Sequence, residues 1–337
     1  MSLVERWIRF WDRHEPADTL AVLRVLVGSV VLADLAQVAY LGLVEALWAP
    51  IEEGGMGPSR YALPVSVTYA WLSASAQHAW LIYGVACVAA TALVLGARTR
   101  TSALLLVFAY AELSRLSPDA DRGIDVLLRN AVLVLGFSGA GKTLSYDAWR
   151  THGHLHPFVR VPSWPRVFIV LQLTVLYFGA GILKQSPAWT SLGGYSALFM
   201  VLQQPHYASF ASLSLPPRLL VELSPLFAAA TFVTVFWERS ALALPLLFFF
   251  RQGRSRAGRL RAIVNRARLL EIWVALGVVF HLSLALSLEL GIFPWGCLAL
   301  YPALARPDTV RNVVVRGAAA ARHIGRGAMR AHAGNPR

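Results

Sequence analysis

The sequence predicts an all-α, multi-pass membrane protein with no soluble domain, and three observations lead there. Hydrophobic residues make up 56% of the 337 residues and charged ones 15%, against about 25% charged in an ordinary soluble domain. The charges fall into short blocks: no Asp, Glu, Lys or Arg occurs from Tyr61 to Ala97 or from Gln185 to Pro217. Arginine-rich connections also alternate with acidic ones. The net charge of +13 therefore reads as arginine flanking spans on the cytoplasmic side, with no nucleic-acid partner.

A helix crossing the hydrocarbon core needs about 20 mostly apolar residues. Runs of this kind are expected near 19–41, 78–96, 101–114, 124–139, 165–184, 218–237, 269–288 and 290–305. The third and fourth are short and carry polar residues, so neighbouring helices are expected to shield them from lipid. Residues 240–250 are too few to cross alone and are interrupted by Pro245. They are expected to be re-entrant or interfacial, and would make a ninth span if they cross. Segments 44–75 and 186–216 read as partly helical connections hugging the membrane.

Residues 1–18 form an N-terminal segment, 19–305 the transmembrane domain, and 306–337 a basic tail expected to be disordered or to lie on anionic lipid. The N-terminus mixes acids with arginines and lacks a small-residue cleavage site, so it reads as no cleavable signal. Arg98, Arg100, Lys142, Arg150, Arg160, Arg166 and the run Arg251–Arg268 mark cytoplasmic connections. Glu45, Glu52, Glu53, Asp119, Asp121 and Asp125 mark outward ones. Eight crossings put both termini in the cytoplasm and Lys184 at the outer helix ends. Cys87 and Cys297 lie in apolar runs and imply no disulfide framework.

Two motifs lack the context they need. Gly136–Thr143 spells a phosphate-binding P-loop, glycine, four residues, then Gly-Lys-Thr. The run before it belongs to a membrane span rather than to a strand of a globular sheet. The ATPase reading is set aside for that of a glycine-rich helix exit. His152, His154 and His156 lie in a cytoplasmic loop without a carboxylate or cysteine partner, so no metal is expected there.

Lysine occurs only twice, and Lys184 closes the apolar run of the fifth span. An ionisable group near a membrane interior is costly and is a functional-site candidate for that reason. A lysine, unlike an arginine, can also give up its proton when partly buried. Tyr177, Gly181 and Lys184 are spaced to share one helix face, Gly181 with Gly179 and Ala180 permits close approach, and Pro187 and Trp189 follow at the interface. His281 in the seventh span suits proton transfer. Arg24 and Asp34, ten residues apart on the first span, are expected to pair with other helices. Asp125 and Asn130 lie on the outward half of the fourth span and are expected near Lys184.

These residues resemble a known family. Tyr177–Trp189, Asp125–Asn130, Ser145-Tyr146-Asp147, and His281-Leu282 leading to Gly291-Ile292-Phe293-Pro294 resemble the vitamin K-dependent gamma-glutamyl carboxylase and the bacterial HTTM (horizontally transferred transmembrane) domain proteins, over most of 15–305. The resemblance implies a multi-pass protein of the bacterial cytoplasmic membrane. It implies that Lys184 is the base that deprotonates a reduced vitamin K or menaquinone, whose oxygenation yields a stronger base and an epoxide. It also implies a secreted peptide as a partner besides the lipid bilayer. The carboxylase has a histidine shortly before its Ser-x-Asp element, where this chain has Gly141-Lys142-Thr143, and a large lumenal domain after its spans. The expectation is therefore quinol- and oxygen-dependent modification of a peptide or small molecule, with Lys184 and His281 catalytic and Tyr177, Gly181, Trp189, Asp125 and Asn130 binding. The alternative is a non-carboxylating maturation or export factor for a secreted peptide.

Overall fold

Helices carry most of the described residues in the computed structural model, which describes residues 2–59, 66–253 and 257–317. Ser2 opens α1 (Leu3–Trp11) with a capping box, its hydroxyl accepting from Glu5 N while Glu5 accepts from Ser2 N. This satisfies two otherwise orphaned groups of the first turn. A short strand β1 (His14–Pro16) leads into α2 (Asp18–Tyr40). After the short helix Val44–Trp48 come α3 (Ala76–Leu95), α4 (Thr99–Leu116), α5 (Gly123–Gly136) and α6 (Tyr146–His152). Strand β2 (Arg160–Pro162) pairs antiparallel with β1, Glu15 opposite Val161. Then follow α7 (Trp164–Leu183), α8 (Ser224–Ser240), α9 (Leu244–Gln252), α10 (Leu269–Ser287) and α11 (Phe293–Leu300).

Helices occupy all of the expected runs, and among the described residues five are long and apolar enough to cross a membrane: Asp18–Tyr40, Ala76–Leu95, Trp164–Leu183, Ser224–Gln252 and Arg259–Ser287. The other three fall short for different reasons. The α4 helix carries Arg100, Glu112 and Arg115, α5 has 14 residues, and Phe293–Leu304 is short. Between the spans, residues 186–216 fold into short helical turns such as Pro187–Trp189 and Ala197–Val201, partly helical as expected.

Two expectations require correction. Residues 240–250 form no separate re-entrant segment. They continue α8 through a turn at Ala241–Ala243 into α9, giving one helical stretch Ser224–Gln252. Pro245 is accommodated because it falls in the first turn of α9, where no intrahelical N–H is needed. The basic tail, moreover, begins as a helix over 307–317, with Arg311 donating to Asp18 at 3.1 Å. Residues 318–337 lie outside the described residues, and so does the disorder expected of them.

The sequential helices α2 to α5 pack as one group, and α7 to α11 as a second. The α5–α7 and α2–α11 contacts join the two. Lipid is as apolar as leucine, so such helices associate through packing and hydrogen bonds rather than the hydrophobic effect. Small residues provide the packing: Ala86, Ala89 and Ala90 on α3 and Ala103 and Ala109 on α4 are buried together. Polar side chains pin the ends. Buried Arg24 donates to the carbonyls of Leu93, Val94, Ala140 and Leu144, closing the ends of α3 and the α5–α6 loop. Buried Arg166 and Glu15 form a two-pronged ion pair, 2.7 and 2.5 Å, across the β1–β2 clamp. Arg122 holds Asp34 of α2 at 2.6 Å and Asp125 of α5 at 2.9 Å. Arg24 and Asp34 thus pair with other elements, as their spacing requires.

Candidate functional site

Helix α7 ends at Leu183, leaving carbonyl groups at its C-terminus without partners within the helix. Arg239 of α8 supplies donors, Nε to Gly181 O at 3.0 Å and NH2 to Lys184 O at 3.3 Å. Its neighbour Glu238 takes the adjacent side chain: Lys184 Nζ lies 2.8 Å from Oε1 and 2.7 Å from Oε2. The dipeptide Glu238-Arg239 thereby binds both the side chain and the backbone of one helix terminus. Gly181 makes this approach possible. A Cβ there would stand 2.8 Å from Arg239 N and 3.0 Å from the Glu238 Cβ, whereas one on Gly179 would meet nothing within 4 Å. Close packing therefore rests on Gly181.

The pair lines a cavity of about 510 Å³ between α7, α8 and α10. Tyr177, Ala180, Lys184 and Trp189 line one side, with Leu276, Val279 and Phe280 opposite. The Lys184 ammonium sits 5.1 Å from the centre of the Trp189 ring, a cation–π contact. Four hydroxyl groups also face the space, and each donates to a carbonyl of its own helix: Thr231 to Phe227, Thr234 to Ala230, Ser283 to Val279 and Ser287 to Ser283. Polarity in the cavity is consequently concentrated at Lys184 and Glu238. Glu238 stands two residues before the end of α8, just ahead of the turn Ala241–Ala243, so Lys184 at the end of α7 meets the last turn of α8.

His281 is fully buried one layer behind this wall. Its Nε2 is 2.6 Å from the Tyr177 hydroxyl, which is 3.0 Å from the hydroxyl of Tyr301. Trp237, Phe280 and Phe293 rings surround it at 5.1 to 6.4 Å. Its Nδ1 has no hydrogen-bond partner among the described residues. Of the residues expected at the site, Lys184, Tyr177, Gly181 and Trp189 come together, and His281 reaches the cavity through Tyr177. Asp125 and Asn130 do not. Asp125 belongs to a cluster with Arg122, Asp34 and Tyr110 around a different cavity, and Asn130 is exposed. Burial lowers the pKa of Arg122, but hydrogen bonds to Asp125 and Asp34 outweigh it and raise Arg122 above its ordinary value. No group of three or more His, Cys, Asp or Glu side chains among the described residues is placed to hold a metal.

Sequence reading missed Glu238, Tyr301 and Trp237. Glu238 left a signal, being the one acid between Glu222 and Glu271 and followed by Arg239 inside an apolar run. Tyr301 left none, because its partner Tyr177 is 124 residues away.

Fold and site together define a helical integral membrane protein with an ion pair lining a mostly apolar cavity between its helices. The chain belongs to the HTTM domain family, matching it over residues 12–255, and is thus a membrane protein related to the vitamin K-dependent carboxylases. The match takes in Lys184 and Glu238 and ends before His281. No curated protein and no solved structure matches the chain.

Proposed function

We propose that this protein carries out quinol- and oxygen-dependent modification of a peptide or small molecule at the membrane, with Lys184 as the base. The observation that carries the reading is the Lys184–Glu238 pair lining a mostly apolar cavity. An amine beside a carboxylate in a dry site can exchange a proton with it with no change in the net charge of the pair. Lys184 Nζ thus has a proton acceptor 2.8 Å away at Glu238 Oε1, which frees the amine to take a proton from a ligand hydroxyl. Binding sites for small molecules are concave and mostly apolar, with few polar groups fixing orientation, and this donor set fits the head group of a reduced menaquinone or vitamin K. Lys184 and Glu238 would hold its hydroxyl end and Trp189, Tyr177 and Phe280 its ring. When bound, such a quinol supplies, on oxygenation, the strong base that acts on the acceptor. Apolar walls keep water from that base. In this reading the protein lies in a bacterial cytoplasmic membrane with both termini cytoplasmic, and the acceptor is a secreted peptide or a small molecule.

The test uses purified protein in nanodiscs with reduced menaquinone or phylloquinone under oxygen. Epoxide and quinone are quantified by mass spectrometry for wild type and Lys184→Ala. Epoxide formed by wild type and lost in Lys184→Ala is the expected result. Wild type giving no more epoxide than empty discs ends this reading for these quinols, and the maturation or export factor for a secreted peptide takes its place.

A further inference from the structure

We propose that a second cavity, between the start of α4, the loop after α5 and helix α6, is an anion site that takes a phosphate group. It encloses about 630 Å³. Three cations reach it from separate stretches of chain: Arg98 before α4, Arg100 in its first turn, and Lys142 in the loop after α5. His152 stands at the end of α6. Arg98, Arg100 and Lys142 are exposed, and none forms an ion pair among the described residues. Asp147 is the one acid in the lining, and its carboxylate is already engaged. It accepts from Arg98 N at 2.9 Å, Thr99 N at 3.0 Å and Thr99 Oγ1 at 3.3 Å, capping the start of α4.

A row of arginines flanking a span is ordinary in a membrane protein. Here the fold gathers them around one space. Asp147 ties α6 to α4, and the loop seats on Thr99 because residue 141 is glycine, whose added Cβ would stand 2.3 Å from Thr99 Oγ1. Half-exposed Phe137 forms part of the lining, with the Arg100 guanidinium 5.0 Å over its ring. Converging guanidinium forks and an ammonium suit a phosphate, whose several oxygens accept charge-assisted hydrogen bonds. The P-loop spelling of Gly136–Thr143 contributes position, not its usual mechanism. Thr143 is buried with its hydroxyl on Leu155 O, and the next helix begins only at Tyr146. The phosphate has two sources, the head group of an anionic lipid or a soluble phosphate ester.

The test compares full-length wild type with Arg98→Gln/Arg100→Gln/Lys142→Gln in detergent. Native mass spectrometry reads phosphatidylglycerol retained through delipidation, and thermal shift reads binding of short-chain phosphatidylglycerol and of inorganic phosphate. Each charge removed weakens binding about fivefold, and all three together about a hundredfold. Loss of phosphatidylglycerol retention and shift in the triple variant identifies a lipid head group. Loss of an inorganic phosphate shift, with no preference for the lipid, identifies a soluble phosphate. Wild type binding neither, or the variant binding both as tightly as wild type, overturns the proposal. Should the triple variant fold poorly, Thr101→Glu, an exposed position lining the same cavity, must weaken binding as well, and unchanged binding there overturns it.

Discussion

Lys184 and Glu238 are each costly alone in an apolar setting and tolerable together, because each ion supplies the charge the other loses with its water. Removing one partner leaves the other uncompensated. Glu238→Ala is expected to lower stability by about 3 kcal/mol, the usual scale for breaking a buried pair, read as thermal unfolding in detergent. Lys184→Met/Glu238→Leu is expected to recover most of that stability while forming no epoxide, which separates the chemical role of the pair from its structural one. Glu238→Gln keeps the size and a hydrogen bond but removes the proton acceptor. A fall of at least about tenfold in epoxide formation is expected, as for loss of an acid–base partner. An unchanged rate would place the proton elsewhere.

The elements meet at the site because two positions carry no side chain. Gly181 lets α8 lie against the end of α7, and Gly277 of α10 leaves room for the Tyr301 hydroxyl, 2.1 Å from where a Cβ would stand. Gly181→Val forces the helices apart, so the Arg239 contacts to the end of α7 and the Lys184–Glu238 pair both weaken. Thermal stability and epoxide formation are expected to fall together. Gly179→Ala, two residues away with nothing within 4 Å, is expected to leave both unchanged, or to raise stability slightly through the better helix propensity of alanine. A loss of stability at Gly179 equal to that at Gly181 would show that close approach at Gly181 is not what governs this segment.

At the scale of the whole molecule, the arginine-rich connections gather at one end. Arg24 holds the end of α3 and the loop after α5, and Arg166 ties Glu15 to the carbonyl of Ala303. By the positive-inside rule that end is expected to face the cytoplasm. In a variant with Cys87 and Cys297 replaced, a cysteine at position 154 is expected to react with a membrane-impermeant thiol reagent only after the cytoplasmic face is opened. A cysteine at position 192 is expected to react from the outside of intact cells. The reverse pattern would invert the orientation.

Sequence alone determined the class of the molecule, because an apolar run of span length in a weakly charged chain has few places to go but a bilayer, and it singled out Lys184, Tyr177, Gly181 and Trp189, which share a helix terminus and need only local spacing to be grouped. The span boundaries were less legible. Glu238-Arg239 reads as the end of a crossing, yet the helix continues through it, since partners on α7 satisfy both charges. Asp125 shows the opposite error: its place on the outward half suggested Lys184, and Arg122, three residues away, held it elsewhere. Only the tertiary structure decided that Glu238 pairs with Lys184, that His281 touches the cavity wall through Tyr177, and that three cations line one cavity beside Asp147. These contacts depend on which faces of distant helices meet, and in lipid that choice is made by close packing and polar pairing rather than by hydrophobic pattern.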